Sequence, residues 1–141
     1  MNDINGVAHI FFTCSRFEDC RAFYREILTF MGMVPVIDVE QMLYCVGGRT
    51  AVGIEPVGAS YARDRFVQER VGLHHVCFRA RAREDVDELH AKLVSLGAKI
   101  VHAPEQGAWA PGYYSVLFED PDGIRLEMNY VPGKGLLESK S

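Results

Sequence analysis

Hydrophobic positions along the chain alternate, then recur every three or four residues, then alternate again, and this order occurs twice. Residues 7–14 read as a strand whose parity puts Val7, His9 and Phe11 on one face. A helix is predicted over 17–31, with Phe23, Ile27, Phe30 and Met31 as its apolar stripe, Arg21, Arg25 and Glu26 toward water, and Gly32 just past its end. Short strands are predicted over 33–38, 41–46 and 50–57, the last two joined by Gly47-Gly48. The second run gives a strand over 73–79 and a helix over 83–96 with Val86, Leu89, Leu93 and Leu96 inward, closed by Gly97. It continues through a strand at 99–102, a loop to Gly112, a strand at 113–118, the turn Asp120-Pro121-Asp122-Gly123 and a strand at 124–130. The fold class is therefore α+β, built as two tandem βαβββ modules. One domain spans 1–141: module one at 6–57, a polar linker at 58–71 with a helical turn near 64–69, module two at 72–131 and a tail at 132–141.

Each module opens on a histidine and closes on a glutamate. His75 follows His9 by 66 residues, while Glu55 follows His9 by 46 and Glu127 follows His75 by 52. The six extra residues fall most economically in the loop before Gly112, where Trp109 serves either as a lid or as a cover for the core. Alternation groups Leu73, His75 and Cys77, and turns His74 the other way. Glu127 sits in the apolar run Ile124-Arg125-Leu126-Glu127-Met128, and a carboxylate there requires compensation by a cation or by Arg125, which shares its parity. Glu55 precedes Pro56, which marks an ending or edge strand.

Two imidazoles and two carboxylates at matching places form a set suited to one divalent metal ion per site, Ni, Zn, Co, Mn or Fe(II), with positions left for water or a bidentate substrate. Such a metal polarises a carbonyl and stabilises an enediolate, and a glutamate released from it becomes a general base. Composition narrows the partners. Net charge is −4 with basic residues scattered, which argues against nucleic acid. No apolar run approaches membrane-spanning length, and the first residues lack signal-peptide character, so the expectation is a cytoplasmic protein without a membrane partner. The four cysteines, Cys14, Cys20, Cys45 and Cys77, show no metal-knuckle spacing and read as reduced.

The two-copy plan, His9, Phe23-Tyr24 on the first helix, and above all Phe118-Glu119-Asp120-Pro121-Asp122-Gly123-Ile124-Arg125-Leu126-Glu127 resemble the vicinal oxygen chelate superfamily. That superfamily contains glyoxalase I, methylmalonyl-CoA epimerase, extradiol dioxygenases, fosfomycin-resistance transferases and metal-free bleomycin-resistance proteins. The resemblance implies cupped, eight-stranded mixed sheets around a central cleft, His9, Glu55, His75 and Glu127 as metal ligands, and Glu127 and Glu55 as catalytic residues. It implies a small-molecule substrate and a homodimer. Several positions depart from individual members. Thr13 stands where glyoxalase I has an arginine for glutathione and Thr29 where it has glycine, while Leu117 and Ala108 replace the tyrosine and histidine of extradiol dioxygenases. Epimerases commonly carry glutamine at the Glu55 position. The leading expectation is a metal-dependent glyoxalase-like lyase or isomerase acting on vicinal oxygens. The alternatives are an extradiol-dioxygenase-like or fosfomycin-transferase-like metalloenzyme, and a metal-free binding protein of the bleomycin type. Phe11, Trp109, Tyr113 and Tyr114 are expected to line the substrate site, with Arg79 and Arg125 available to an anionic group.

Overall fold

The structure, a computed structural model, describes residues 2–135, so the end of the tail expected at 132–141 lies outside the described residues. The chain divides into two compact units, Met1–Arg65 and Phe66–Ser141, each holding one expected module.

In the first unit, β1 (His9–Cys14), α1 (Phe17–Phe30), β2 (Val34–Val39), β3 (Met42–Gly47) and β4 (Thr50–Pro56) form a four-stranded sheet of order β1-β4-β3-β2 with one helix. β1 runs parallel to β4, and the other pairs are antiparallel. α1 buries Cys20, Tyr24, Ile27 and Leu28, whose spacing of four, three and one defines a single stripe. This stripe is rotated from the expected one: Ile27 is shared, but Phe30 is exposed because Cys20 and Tyr24 turn toward the sheet in its place. Phe12 stacks on Tyr24 with ring centroids 5.5 Å apart. On the polar side, the Arg21 guanidinium donates to Asp38 Oδ1 at 2.7 and 3.0 Å and Arg25 reaches Asp38 Oδ2 at 3.1 Å, tying α1 to β2. Gly32 ends the helix at φ +85°, a conformation that a residue with a Cβ adopts only under strain.

The second unit repeats the plan with β5 (Val76–Arg79), α2 (Arg83–Ser95), β6 (Lys99–Gln106), β7 (Tyr114–Glu119) and β8 (Arg125–Tyr130), in the order β5-β8-β7-β6. Val86, Leu89 and Leu93 are the buried positions of α2, as expected, while Leu96 lies at the helix end and is exposed. Asp85 satisfies the backbone N–H groups of Ala82 and Arg81 at 2.8 and 3.1 Å and so caps α2. The Asp120 carboxylate accepts from the N–H groups of Asp122 and Ile124 at 2.8 and 2.9 Å. That closed turn fixes β7 against β8 with Leu117 opposite Glu127. Most boundaries shift by one or two residues, and three differ by more. β6 extends to Gln106, absorbing part of the inserted residues through register irregularities on either side of His102. The helical turn of the linker lies at Ala59–Tyr61 rather than near 64–69. β5 begins at Val76, leaving His74 and His75 just before the strand.

Candidate functional site

The second unit assembles a polar cluster on the sheet face opposite α2. Side chains of Leu126 and Met128 enter the core, so alternation along β8 turns Arg125, Glu127 and Asn129 to the other face. Glu127 is paired in register with Cys77 on one side and Leu117 on the other, and it is only 9% exposed. Its two oxygens have different partners. Oε1 accepts a short hydrogen bond from the Tyr113 hydroxyl, and Oε2 lies 3.4 Å from His75 Nε2. Burial, and next the bond to Glu127, hold the Tyr113 phenol above its usual range, so it remains a proton donor to the carboxylate. The Cys77 thiol is pushed up to about 12, first by desolvation of the sulfur and then by the Glu127 charge, and therefore stays protonated.

The far side of His75 is held by a chain of hydrogen bonds. Arg125 donates from Nη1 to Gln68 Oε1 at 3.4 Å, which leaves the Gln68 amide nitrogen, 3.2 Å from His74 Nδ1, as the donor to that ring. The 2.7 Å contact between His74 Nδ1 and His75 Nδ1 holds one proton, and the arrangement in which His75 carries it leaves His75 Nε2 for a cation. In that tautomer His75 Nε2 presents a lone pair toward a carboxylate oxygen. Two such atoms 3.4 Å apart need a cation between them, either a proton on Nε2 or a metal ion bound to both. The donor chemistry of this pair fits a divalent metal.

The first unit arranges its candidates differently. β1 and β4 place His9 beside Ala51, Phe11 beside Gly53, and Thr13 beside Glu55. Glu55 is thus on the His9 face but four positions farther along, roughly 13 Å at the rise of a strand. The position that corresponds to Glu127, opposite the second residue after the histidine, is Gly53. Phe11 covers it: a Cβ on Gly53 would stand 2.3 Å from the Phe11 ring. That ring also meets His9 edge-on at 5.5 Å and Tyr44 at 5.5 Å.

The remaining expected residues separate by face. Arg79, Trp109 and Tyr113 line a cavity of about 480 Å³ in the second unit. Tyr114 faces α2 instead, donating to Asp87 Oδ1 at 2.5 Å beneath the Arg83 guanidinium, which sits 3.7 Å above its ring. Arg125 is engaged by Glu119 at 2.9 Å as well as by Gln68. Sequence reasoning missed Gln68 and His74 as supports of His75. It assigned His74 to the opposite face by strand alternation, which does not apply because both histidines precede β5. Gln68 lies in a linker without periodicity, and nothing in the sequence marks it.

Comparison with known proteins gives the same outline. Among solved structures, a candidate glyoxalase from Bacillus halodurans matches with a TM-score of 0.79 at 27% identity, covering 89% of this chain and 95% of that one. The lactoylglutathione lyase of Agrobacterium tumefaciens shares the fold, with a TM-score of 0.68 at 20% identity over 98% of this chain and 100% of that one. In sequence, the chain is 24% identical to the metallothiol transferase FosB of Shouchella clausii over 89% of its length and 80% of the relative's. It is 37% identical to the uncharacterised YqjT of Bacillus subtilis over 60 residues, 42% of this chain, a match that spans 47% of that protein. The family model of the glyoxalase/bleomycin resistance protein/dioxygenase superfamily matches residues 6–128, nearly the whole chain, and the chain belongs to that superfamily.

Proposed function

We propose that this protein is a divalent-metal-dependent enzyme acting on a small molecule with two vicinal oxygens, with His75 and Glu127 of the second unit as protein ligands. The observation that carries the reading is His75 Nε2 facing Glu127 Oε2 at 3.4 Å, with the other ring nitrogen of His75 engaged by His74 and, through it, Gln68. Proteins of this superfamily typically bind a divalent metal. A metal bound here would supply Lewis-acid polarisation of a substrate oxygen. Glu127 and Tyr113 would handle the proton: the phenol donates to Oε1, and release of Glu127 from its other contact leaves a carboxylate able to take a proton from carbon. In the first unit Gly53 stands at the register position that Glu127 holds in the second, so the reading sets Glu55 aside as a ligand.

Lyase or isomerase chemistry, with Glu127 as base, is the first reaction class. Group transfer to a substrate oxygen or carbon is the second. It is supported by the likeness to the metallothiol transferase FosB. The test is metal analysis of gently purified protein followed by an activity screen over glutathione hemithioacetals, catechols, acyl-CoA thioesters and an epoxide with added thiol. About one divalent ion per chain and one responsive substrate class are expected. Metal content unchanged in His75→Ala would remove the reading.

A further inference from the structure

The cavity in the second unit carries a charge opposite in sign to that of the chain as a whole. Overall charge is −4, yet the described residues lining this space include Arg79, Arg81 and Lys134 and no carboxylate. Elsewhere in the chain Arg21 and Arg25 are matched by Asp38, Arg125 by Glu119, and Arg83 by the Tyr114 ring. Among the described residues no ion pair engages the side chains of Arg79, Arg81 or Lys134. Three cationic side chains along one cavity without a counter-charge among the described residues favour an anion in the space they line.

The walls add a second property. Trp109 stands 78% exposed at the cavity mouth, an unusual place for an indole without a partner, and Tyr113 forms part of the same wall. Gly107 lets that wall close up, since a Cβ there would stand 2.9 Å from the Tyr113 ring. Cations beside exposed aromatic faces suit a flat organic anion better than a hydrated inorganic one. A volume of about 480 Å³ is that of a small-molecule site. Tyr113 connects it to the candidate metal ligands, for its ring lines the cavity while its hydroxyl reaches Glu127, and Asn129 shares the Glu127 face of β8 at the cavity wall.

We propose that this cavity binds a small organic anion, with a carboxylate or phosphonate group held by Arg79, Arg81 and Lys134 and a flat, unsaturated body lying against Trp109 and Tyr113. The proposal deepens the functional reading by naming its substrate class and rests on that reading only for what happens at Glu127. Binding itself needs no metal, so the two fail separately.

Trp109 is the chain's single tryptophan, so its fluorescence reports this cavity alone. The full-length protein, stripped of metal with a chelator, is titrated with phenylphosphonate, benzoate, benzyl alcohol and inorganic phosphate. Saturable change in Trp109 emission is expected with the two aromatic anions, at least about tenfold weaker with the neutral alcohol, and weaker as salt rises. Arg79→Gln/Arg81→Gln should weaken the aromatic anions by about tenfold or more while leaving the alcohol unchanged, which a merely unfolded variant would not do. Equal affinity for alcohol and anion would overturn the charge assignment. Inorganic phosphate binding as tightly as phenylphosphonate would overturn the organic body. Metal content of the same double variant, measured in parallel, is expected to match the parent, and its loss would show that these arginines support Glu127 rather than a ligand.

Discussion

The two units use one plan and reach different chemistry at one strand register. In the second, the residue two places after the histidine is Cys77, and its neighbour across the parallel pair is Glu127. In the first, the matching residue is Phe11 and its neighbour is Gly53, with Glu55 displaced to the place beside Thr13. The second unit thus gathers an imidazole, a carboxylate, a phenol and a supporting amide chain, while the first sets one imidazole against an aromatic ring. A duplicated fold can keep both sheets and yet concentrate its polar chemistry in one of them. Burial makes this cluster demanding: a buried carboxylate needs its own partners, and Tyr113 at Oε1 and His75 at Oε2 stand beside Glu127.

The comparison breaks most readily at the ligands. His75→Ala and Glu127→Gln are each expected to lower metal affinity by more than about a hundredfold, taking bound metal in dialysed protein close to zero. Glu55→Gln should leave metal content at the parent level. If Glu55→Gln empties the site as Glu127→Gln does, the two modules are chemically equivalent and the register argument falls. Plasma emission spectrometry on matched samples gives the answer.

Much of this was legible in the sequence, for physical reasons that also mark where legibility stopped. Both βαβββ runs followed from periodicity, because helix and strand bury apolar side chains at periods that do not overlap. The Asp120-Pro121-Asp122-Gly123 turn located β8 and hence Glu127, since its hydrogen bonds are local. Glu55 could not be placed in the same way. Which residue of β1 it neighbours depends on the register of two parallel strands far apart in sequence, and a shift of two preserves the face while moving the side chain along it. Parity, the only sequence-level guide, is blind to that shift. The expected face of Tyr114 failed differently: parity separates it from Tyr113, and its hydroxyl found Asp87 on α2.

A second test acts on the first unit alone. Gly53→Ala should destabilise the protein by about 1–3 kcal/mol, because the new methyl overlaps the Phe11 ring, whose nearest carbons would lie 2.3 and 2.6 Å away. In a Phe11→Ala background most of that cost should vanish, and the coupling is read from urea denaturation of the four proteins in a double-mutant cycle. Additive effects would mean that Phe11 does not close over Gly53. The corresponding support in the second unit is His74. His74→Ala should weaken metal binding by about tenfold by freeing the His75 tautomer, without altering the number of sites. An unchanged affinity would detach the Gln68 and His74 chain from the site.

The smallest expected effect concerns Glu119, which anchors Arg125 beside Gln68. Burial alone would raise the Glu119 pKa, but Lys99 at 3.0 Å and Arg125 at 2.9 Å outweigh it and hold the carboxyl below its ordinary 4.5. The sign of the linkage follows. A group whose pKa is lower in the folded chain adds stability that is fully present above the unfolded value and is lost as pH falls through the folded one. Acid should therefore weaken the second unit progressively below about pH 4.5, and Glu119→Gln should flatten that limb of the stability curve while costing about 1 kcal/mol at neutral pH. Because Arg125 holds Gln68 and Gln68 holds His74, the same variant should also loosen metal binding slightly as its neutral side chain releases Arg125. Thermal unfolding from pH 3 to 7, run on both proteins, separates the two effects: a parallel downward shift would make Glu119 a packing residue only, whereas curves converging at acid pH assign its contribution to the charge.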